Sequence, residues 1–200
     1  MRLTGTGMNV FETILARRSV RSYRTTEVEH AVVQTLLEAA VRAPTAMHEE
    51  PWAFVIVQDR PLLQQLSDLA KPLFVAQAWQ AAPPGAGHSP DALARPDFNI
   101  FYDAGTLIVI CARPVGPMAP ADCWLAAENL MLAACALGLG TCVIGTALPA
   151  LELPQVKEML GIPAEVAAVA PIVVGHLRGE TLRSSRQEPR VLLWKQAPPR

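Results

Sequence analysis

The stretch DCWLAAENLMLAACALGLGTCVIG, Asp122–Gly145, decides the fold class. From Asp122 to Leu137 it reads as a helix apolar on nearly every side, with Glu128 and Asn129 as its interior polar residues. Such a helix belongs in the middle of a structure. Gly138 ends it, and the chain then enters a short extended piece. The glycines invite a dinucleotide-binding reading, but in G-x-G-x-x-G counted from Gly138 the third glycine would fall at Val143. The stretch also follows a helix, where that motif must follow a strand. Elsewhere helices and strands mix without strict βαβ alternation, so the fold class is α+β and not doubly wound.

Working outward, the 200 residues suggest one domain spanning 1–200. Asn9–Arg18 reads as a helix with Asn9 as its cap and Val10, Ile14 and Leu15 on one side. Thr26 and Glu29 suggest a capping box ahead of a second helix, whose face is Val33, Leu36, Leu37, Ala40 and Val41. Ala53–Val57 and Thr106–Cys111 are short buried strands, Pro61 opens a helix between them, and Glu165–Gly175 is a further strand. Pro154–Leu160 is a small helix closed by Gly161. The proline- and glycine-rich 81–99 is a loop or lid. Phe74, Trp79, Phe98, Phe101 and Tyr102 flank or occupy it, as stacking groups for a planar molecule or as core. Residues 177–200 form a basic C-terminal extension ending in the apolar VLLW.

Composition narrows the function. Half of the residues (51%) are apolar and 18% charged, enough to fill a core, and the formal charge of -1 argues against nucleic-acid binding. The longest apolar run, Cys123–Leu137, is too short to span a membrane. The four cysteines form no CxxC and no zinc spacing with histidine, so no metal site is expected. With no signal peptide at the start, they point to a reduced, cytoplasmic protein. No P-loop, HExxH or GxSxG occurs, which disfavours a hydrolase or metalloenzyme.

Against that near-neutral background, Arg17, Arg18, Arg21 and Arg24 fall within eight residues. Cations at a helix C-terminus favour its dipole, which is sufficient reason for Arg17 and Arg18. Yet Ser19 and Arg21 carry the pattern past the helix, and guanidinium forks with a hydroxyl suit a phosphate. A second basic group, Arg178, Arg183, Arg186 and Arg190, would complete a clamp if the chain ends meet.

Four blocks, ILARRSVRSY, APTAMHEEPWAFVIV, AAENLMLAACALGLGTCVIG and PIVVGHLRGE, occur in the order seen in the nitroreductase family of flavoproteins, which the chain resembles over nearly its whole length. The resemblance implies a three-layer fold, a mostly antiparallel sheet flanked by helices, in an intertwined homodimer holding FMN between subunits. It implies that Arg17, Arg18 and Ser19 bind the phosphate and ribityl end, with Arg186 and Arg183 closing the phosphate site. Arg21 would stabilise the reduced flavin at its N1 and C2-carbonyl edge. Pro44, Thr45, Ala46, Met47 and His48 would line the ring from the partner subunit, and Ile144 and Gly145 would pass along its other side. The helix Asp122–Leu137 would form the dimer core; as a sequence alone it equally suits the centre of a monomer.

The family's Ser-x-x-Asn-x-Gln-Pro-Trp stands here with Thr45, His48 and Glu50 at the serine, asparagine and glutamine. Neutral histidine donates and accepts in another geometry, and an ionised Glu50 accepts only. The implied activity is an NADH- or NADPH-dependent reductase of nitroaromatics, quinones or similar small planar acceptors, donor and acceptor taking turns at flavin N5. Solvent can supply protons, and His48 is the one catalytic candidate. The alternatives are a flavin-binding protein without catalysis, specialised chemistry such as flavin fragmentation or reductive dehalogenation, and a structural dimer without flavin.

Overall fold

The computed structural model describes residues 7–81, 95, 97–181 and 185–196, with backbone alone for 77–81. Four strands form one antiparallel sheet in the order β1-β2-β4-β3: β1 Trp52–Val57, β2 Thr106–Ala112, β3 Leu139–Val143 and β4 Ala167–His176. All of β2 is buried, as is β4 from Val169 to Gly175. Helices cover both faces, which is why these strands read as unbroken apolar runs instead of alternating. On one face Leu63, Leu66 and Ala70 of α3 (Arg60–Ala81) pack with Leu151 of α5 (Leu148–Leu151) and Val156 of α6 (Pro154–Leu160) over Val109 and Val173. On the other, Val33 and Leu36 of α2 (His30–Ala40) and Ala126 and Leu130 of α4 (Ala119–Ala136) lie over Ile108, Ile110 and Ile172. The three-layer α+β arrangement is the one expected.

The first helix, α1 (Val10–Ala16), is capped by Asn9, whose side chain accepts from the Glu12 amide while Glu12 accepts from the Asn9 amide. The capping box expected at Thr26 and Glu29 does not form, because α2 starts at His30 with no side-chain cap. The cause is tertiary. Val28 is buried, its N–H bonded to Thr106 Oγ1 and its carbonyl to Gln58 Nε2, and this anchorage holds the segment between Thr26 and Glu29 outside the helix. Gly138 and Gly161 close α4 and α6 at φ 76° and 66°, the left-handed geometry glycine tolerates.

The central helix differs from its sequence reading in one respect. Within its own chain α4 buries one side, including Cys123, Ala126, Ala127, Leu130 and Ala134, and leaves Trp124 (44%) and Leu125 (47%) open. Helix α1 lies along it, with Cys135 against the Thr13 carbonyl and Arg17 facing Glu128. The α1 residues read as an apolar side, Val10, Ile14 and Leu15, point away, with Leu15 72% exposed, and Phe11 beside them is 74% exposed. The tail residues Val191–Trp194 are exposed as well.

Part of the expected lid, 82–94 and 96, lies outside the described residues. The adjoining end is tied to α3: Lys71 Nζ bonds the Phe98 carbonyl, Asn99 Nδ2 bonds Gln64, and the Ile100 amide bonds Ser67 Oγ. Of the aromatic candidates, Phe101 is core at 1% exposure, which removes it from a lid role. Phe98 and Tyr102 form an edge-to-face pair 5.7 Å apart, packed against the same core. Phe74 is half-buried within α3.

After α1 the arginine-bearing segment crosses the sheet. Ser19 bridges Thr141, the Val20 amide bonds the Thr141 carbonyl (2.9 Å), and Tyr23 bridges Leu177. This crossing needs Gly140 and Gly175, which are register partners across β3 and β4. A Cβ on Gly140 would lie 2.8 Å from Val20 Cβ, and one on Gly175 would lie 2.9 Å from the Tyr23 ring. Glycine is thus required at both positions for close approach. Gly140→Ala is expected to cost about 1–3 kcal/mol by overpacking. The checking measurement is the thermal midpoint, which should fall by several degrees.

Candidate functional site

Crossing over the glycine pair buries Val20 and Tyr23 and leaves Ser19, Arg21, Ser22 and Arg24 exposed. The Tyr23 hydroxyl donates to the Val20 carbonyl (2.7 Å), and burial raises its pKa far above the ordinary phenol value. The buried tyrosine therefore pins the segment while the cations face outward. Arg17 and Arg18 are half-buried and line a cavity of about 280 Å³ with Val20, Cys135, Thr141 and Leu177. Arg18 donates to the Leu15 and Arg17 carbonyls, closing the end of α1 as a C-terminal cation should. Its Nε–H, however, is buried with no partner among the described residues. A buried guanidinium N–H without an acceptor is costly, and an oxygen-rich anion could satisfy it.

Farther along, Arg21 and Ser19 lie near Cys142, whose thiol burial pushes up in pKa while these two neighbours pull it down. Past β3, Ile144 continues the ladder by bonding the Pro171 carbonyl (2.8 Å), and Gly145 opens the turn Gly145–Ala147. A Cβ built on Gly145 would meet nothing within 4 Å. Flat, open backbone is therefore available at the end of the strand beside the arginines.

The third group of expected residues lies elsewhere. Pro44–Glu50 precedes β1, at the opposite edge of the sheet from β3. Three strand spacings, about 14 Å, separate the two edges. One chain does not bring this loop to the arginines. The loop is itself unusual: Met47, His48 and Glu50 have φ of 53°, 56° and 44°. Left-handed non-glycine residues cost about 1–3 kcal/mol each. Met47 is 89% exposed, and His48 and Glu50 are exposed too. Among the described residues the Glu50 carboxylate has no ion-pair partner. Arg186 is described and exposed, and Arg183 lies outside the described residues.

Two residues that hold the 44–50 loop, Asp122 and Arg113, were not singled out in the sequence, whereas Arg178 stood in the expected second basic group. Asp122 was read only as a helix start, yet it is buried and accepts the Ala46 amide (3.0 Å). Arg113 donates to the Glu50 carbonyl (2.6 Å). Arg178 lines a cleft of about 260 Å³ with Arg21 and Tyr102. An acid at the start of an apolar helix was the one available signal for Asp122; nothing local marked Arg113.

The family model for the nitroreductase family matches residues 14–176. The chain belongs to the nitroreductase family. A protein of Archaeoglobus fulgidus, whose name pairs NADH dehydrogenase with NAD(P)H nitroreductase, is 28% identical over 172 residues covering 84% of each chain. A Bacteroides fragilis nitroreductase crystallised with bound FMN superposes with a TM-score of 0.79 at 27% identity, covering 94% of this chain and all of that one. An iodotyrosine deiodinase bound to FMN and 3-iodo-L-tyrosine shares the fold, with a TM-score of 0.73 at 22% identity, covering 92% of this chain and 97% of that one. Members of this nitroreductase fold thus carry different chemistries on one framework, and function must be argued from the site.

All four cysteines are free. Burial pushes the Cys111 thiol to about 11 and Cys123 to about 12. Cys135 is also raised by burial, but Arg17 and Arg18 oppose the shift and it is only half-buried. At neutral pH a thiol reagent should reach Cys135 first, and Cys111 and Cys123 only on unfolding; mass spectrometry of the labelled chain checks the order. The unfolded chain ionises these thiols near the ordinary thiol value of 9.0, before the folded chain does, so stability should fall as pH rises from about 9.

Proposed function

We propose that the protein is an FMN-dependent NAD(P)H oxidoreductase that works as a homodimer and reduces nitroaromatics, quinones or similar small planar acceptors. The observation that carries this reading is the unpartnered, buried Nε of Arg18 beside Arg17, in a family member whose relatives include an FMN-bound enzyme. Arg17, Arg18 and Ser19 would hold the phosphate and ribityl end, with Arg183 and Arg186 closing over it. The open backbone at Ile144 and Gly145 would lie along the ring, and Arg21 would oppose negative charge at its pyrimidine edge. Bound FMN supplies hydride acceptance and donation at its N5.

The dimer supplies what the single chain lacks. Pro44, Thr45, Ala46, Met47, His48 and Glu50 stand at the opposite sheet edge from their own chain's Arg17, Arg18 and Arg21, and the strained loop presents its exposed residues outward to a partner. The open apolar faces of α1 and α4 and the tail Val191–Trp194 provide the covering surface; apolar patches of this kind mark association sites. The chain is then one domain over 1–200 with 177–200 as its extension, and four free thiols suit a reducing, cytoplasmic location.

In each cycle NAD(P)H gives up a hydride and leaves as NAD(P)+, and the acceptor takes the vacated place. A nitro group receives the hydride and one solvent proton, breaking one N–O bond and leaving as nitroso compound and water; a quinone takes the hydride and one proton and leaves as hydroquinone. His48 and Glu50 are the exposed titratable side chains the loop would offer to that place, and His48 is the one able to donate a proton as well as accept one. Steady-state rates at varied NADH or NADPH and p-nitrobenzoate test the reading: parallel double-reciprocal lines support alternation at one site. Intersecting lines exclude it.

A further inference from the structure

We infer that Asp122 and Arg113 are positioning residues that set the shape of the 44–50 loop from behind, and through it the face this chain offers to its partner's flavin; this rests on the reading above. The loop holds three left-handed non-glycine residues in four, a conformation that persists only where its surroundings impose it. Two fixed points impose it. At its start the Asp122 carboxylate, only 3% exposed on α4, accepts the Ala46 N–H at 3.0 Å. At its end the Arg113 guanidinium donates to the Glu50 carbonyl at 2.6 Å, and the Arg113 amide bonds the Pro51 carbonyl at 2.8 Å. Between them Glu49 packs so close to Gly116 that an added Cβ there would sit 2.6 Å from its carboxylate. A buried carboxylate is expensive to keep, and this one's bond is made to loop backbone. Neither residue was needed to build the sheet: β1 and β2 are paired by their own ladder. What the pair fixes is the direction of Met47 and His48.

The test compares Asp122→Ala, Asp122→Asn and Arg113→Ala in the FMN-loaded protein. Readouts are kcat and KM for p-nitrobenzoate, the flavin midpoint potential, and hydrogen exchange at residues 45–50. An asparagine oxygen can still accept the Ala46 amide, so Asp122→Asn should stay near the parent. Asp122→Ala should free the loop amides to exchange, shift the flavin potential, and lower kcat/KM at least about tenfold, since small misplacements at a reacting centre are costly. Arg113 is exposed, so Arg113→Ala keeps the test informative if Asp122→Ala does not fold, and it should move the same readouts. Faster exchange with unchanged potential and kinetics overturns the positioning role and leaves the flavin reading intact. Parent protein that takes up no FMN overturns both.

Discussion

Arg17→Ala combined with Arg18→Ala is expected to abolish FMN retention through purification and to weaken binding by about two to four orders of magnitude. Each charge-assisted hydrogen bond to an anion contributes about 1.5–3 kcal/mol, and two are removed. Arg18 also closes α1 through the Leu15 and Arg17 carbonyls, so the helix end loosens as well. Arg17 is free of that duty; its ion pair among the described residues, to Glu128 at 3.6 Å, is partly exposed and worth little. Arg17→Ala alone should therefore lose flavin without losing the fold. Fluorescence titration with FMN, alongside circular dichroism, checks both variants. Undiminished binding in the double variant would place the phosphate elsewhere.

The second large effect concerns assembly. Leu15→Glu with Leu125→Glu puts two charges on the open apolar faces of α1 and α4, which a partner would desolvate. Unpaired buried carboxylates are prohibitive, whereas each covered leucine contributes at most about 1.5–3 kcal/mol. The expected result is a folded monomer of 21.6 kDa by sedimentation where the parent runs at twice that mass. The monomer should also bind FMN poorly, because the 44–50 loop and the arginine segment of one chain stand at opposite sheet edges. A charged variant that stays dimeric would locate the interface on another face.

Much of the fold was legible because its signals are strong and local. Thr106–Cys111 is an unbroken apolar run and became β2; Gly138 and Gly161 ended helices where left-handed backbone was needed. The cluster Arg17–Arg21 stood out against the near-neutral chain by its charge, and an anion site there is the proposal the flavin titration tests. What stayed hidden depends on distant partners. The Thr26–Glu29 box lost to Val28's anchorage on Thr106 and Gln58, and Gly140 and Gly175 gave no hint that Val20 and Tyr23 press on them. The strained turn at Met47–Glu50 contains no glycine, so nothing in its letters announced positive φ; Asp122 and Arg113 impose it from 76 and 63 residues away. The open faces of α1 and α4 look like ordinary core in the sequence, because an interface between chains and a core within one have the same composition.

If the arginine segment and Gly145 frame a working flavin site, adding FMN to the purified protein without oxygen, recording the visible spectrum, and then adding NADH or NADPH reads it out in one experiment. Flavin should bind, and its oxidised absorption band should disappear rapidly. Protein that stays colourless after FMN and gel filtration, or bound flavin that remains yellow with both nicotinamides, would contradict the flavin reading.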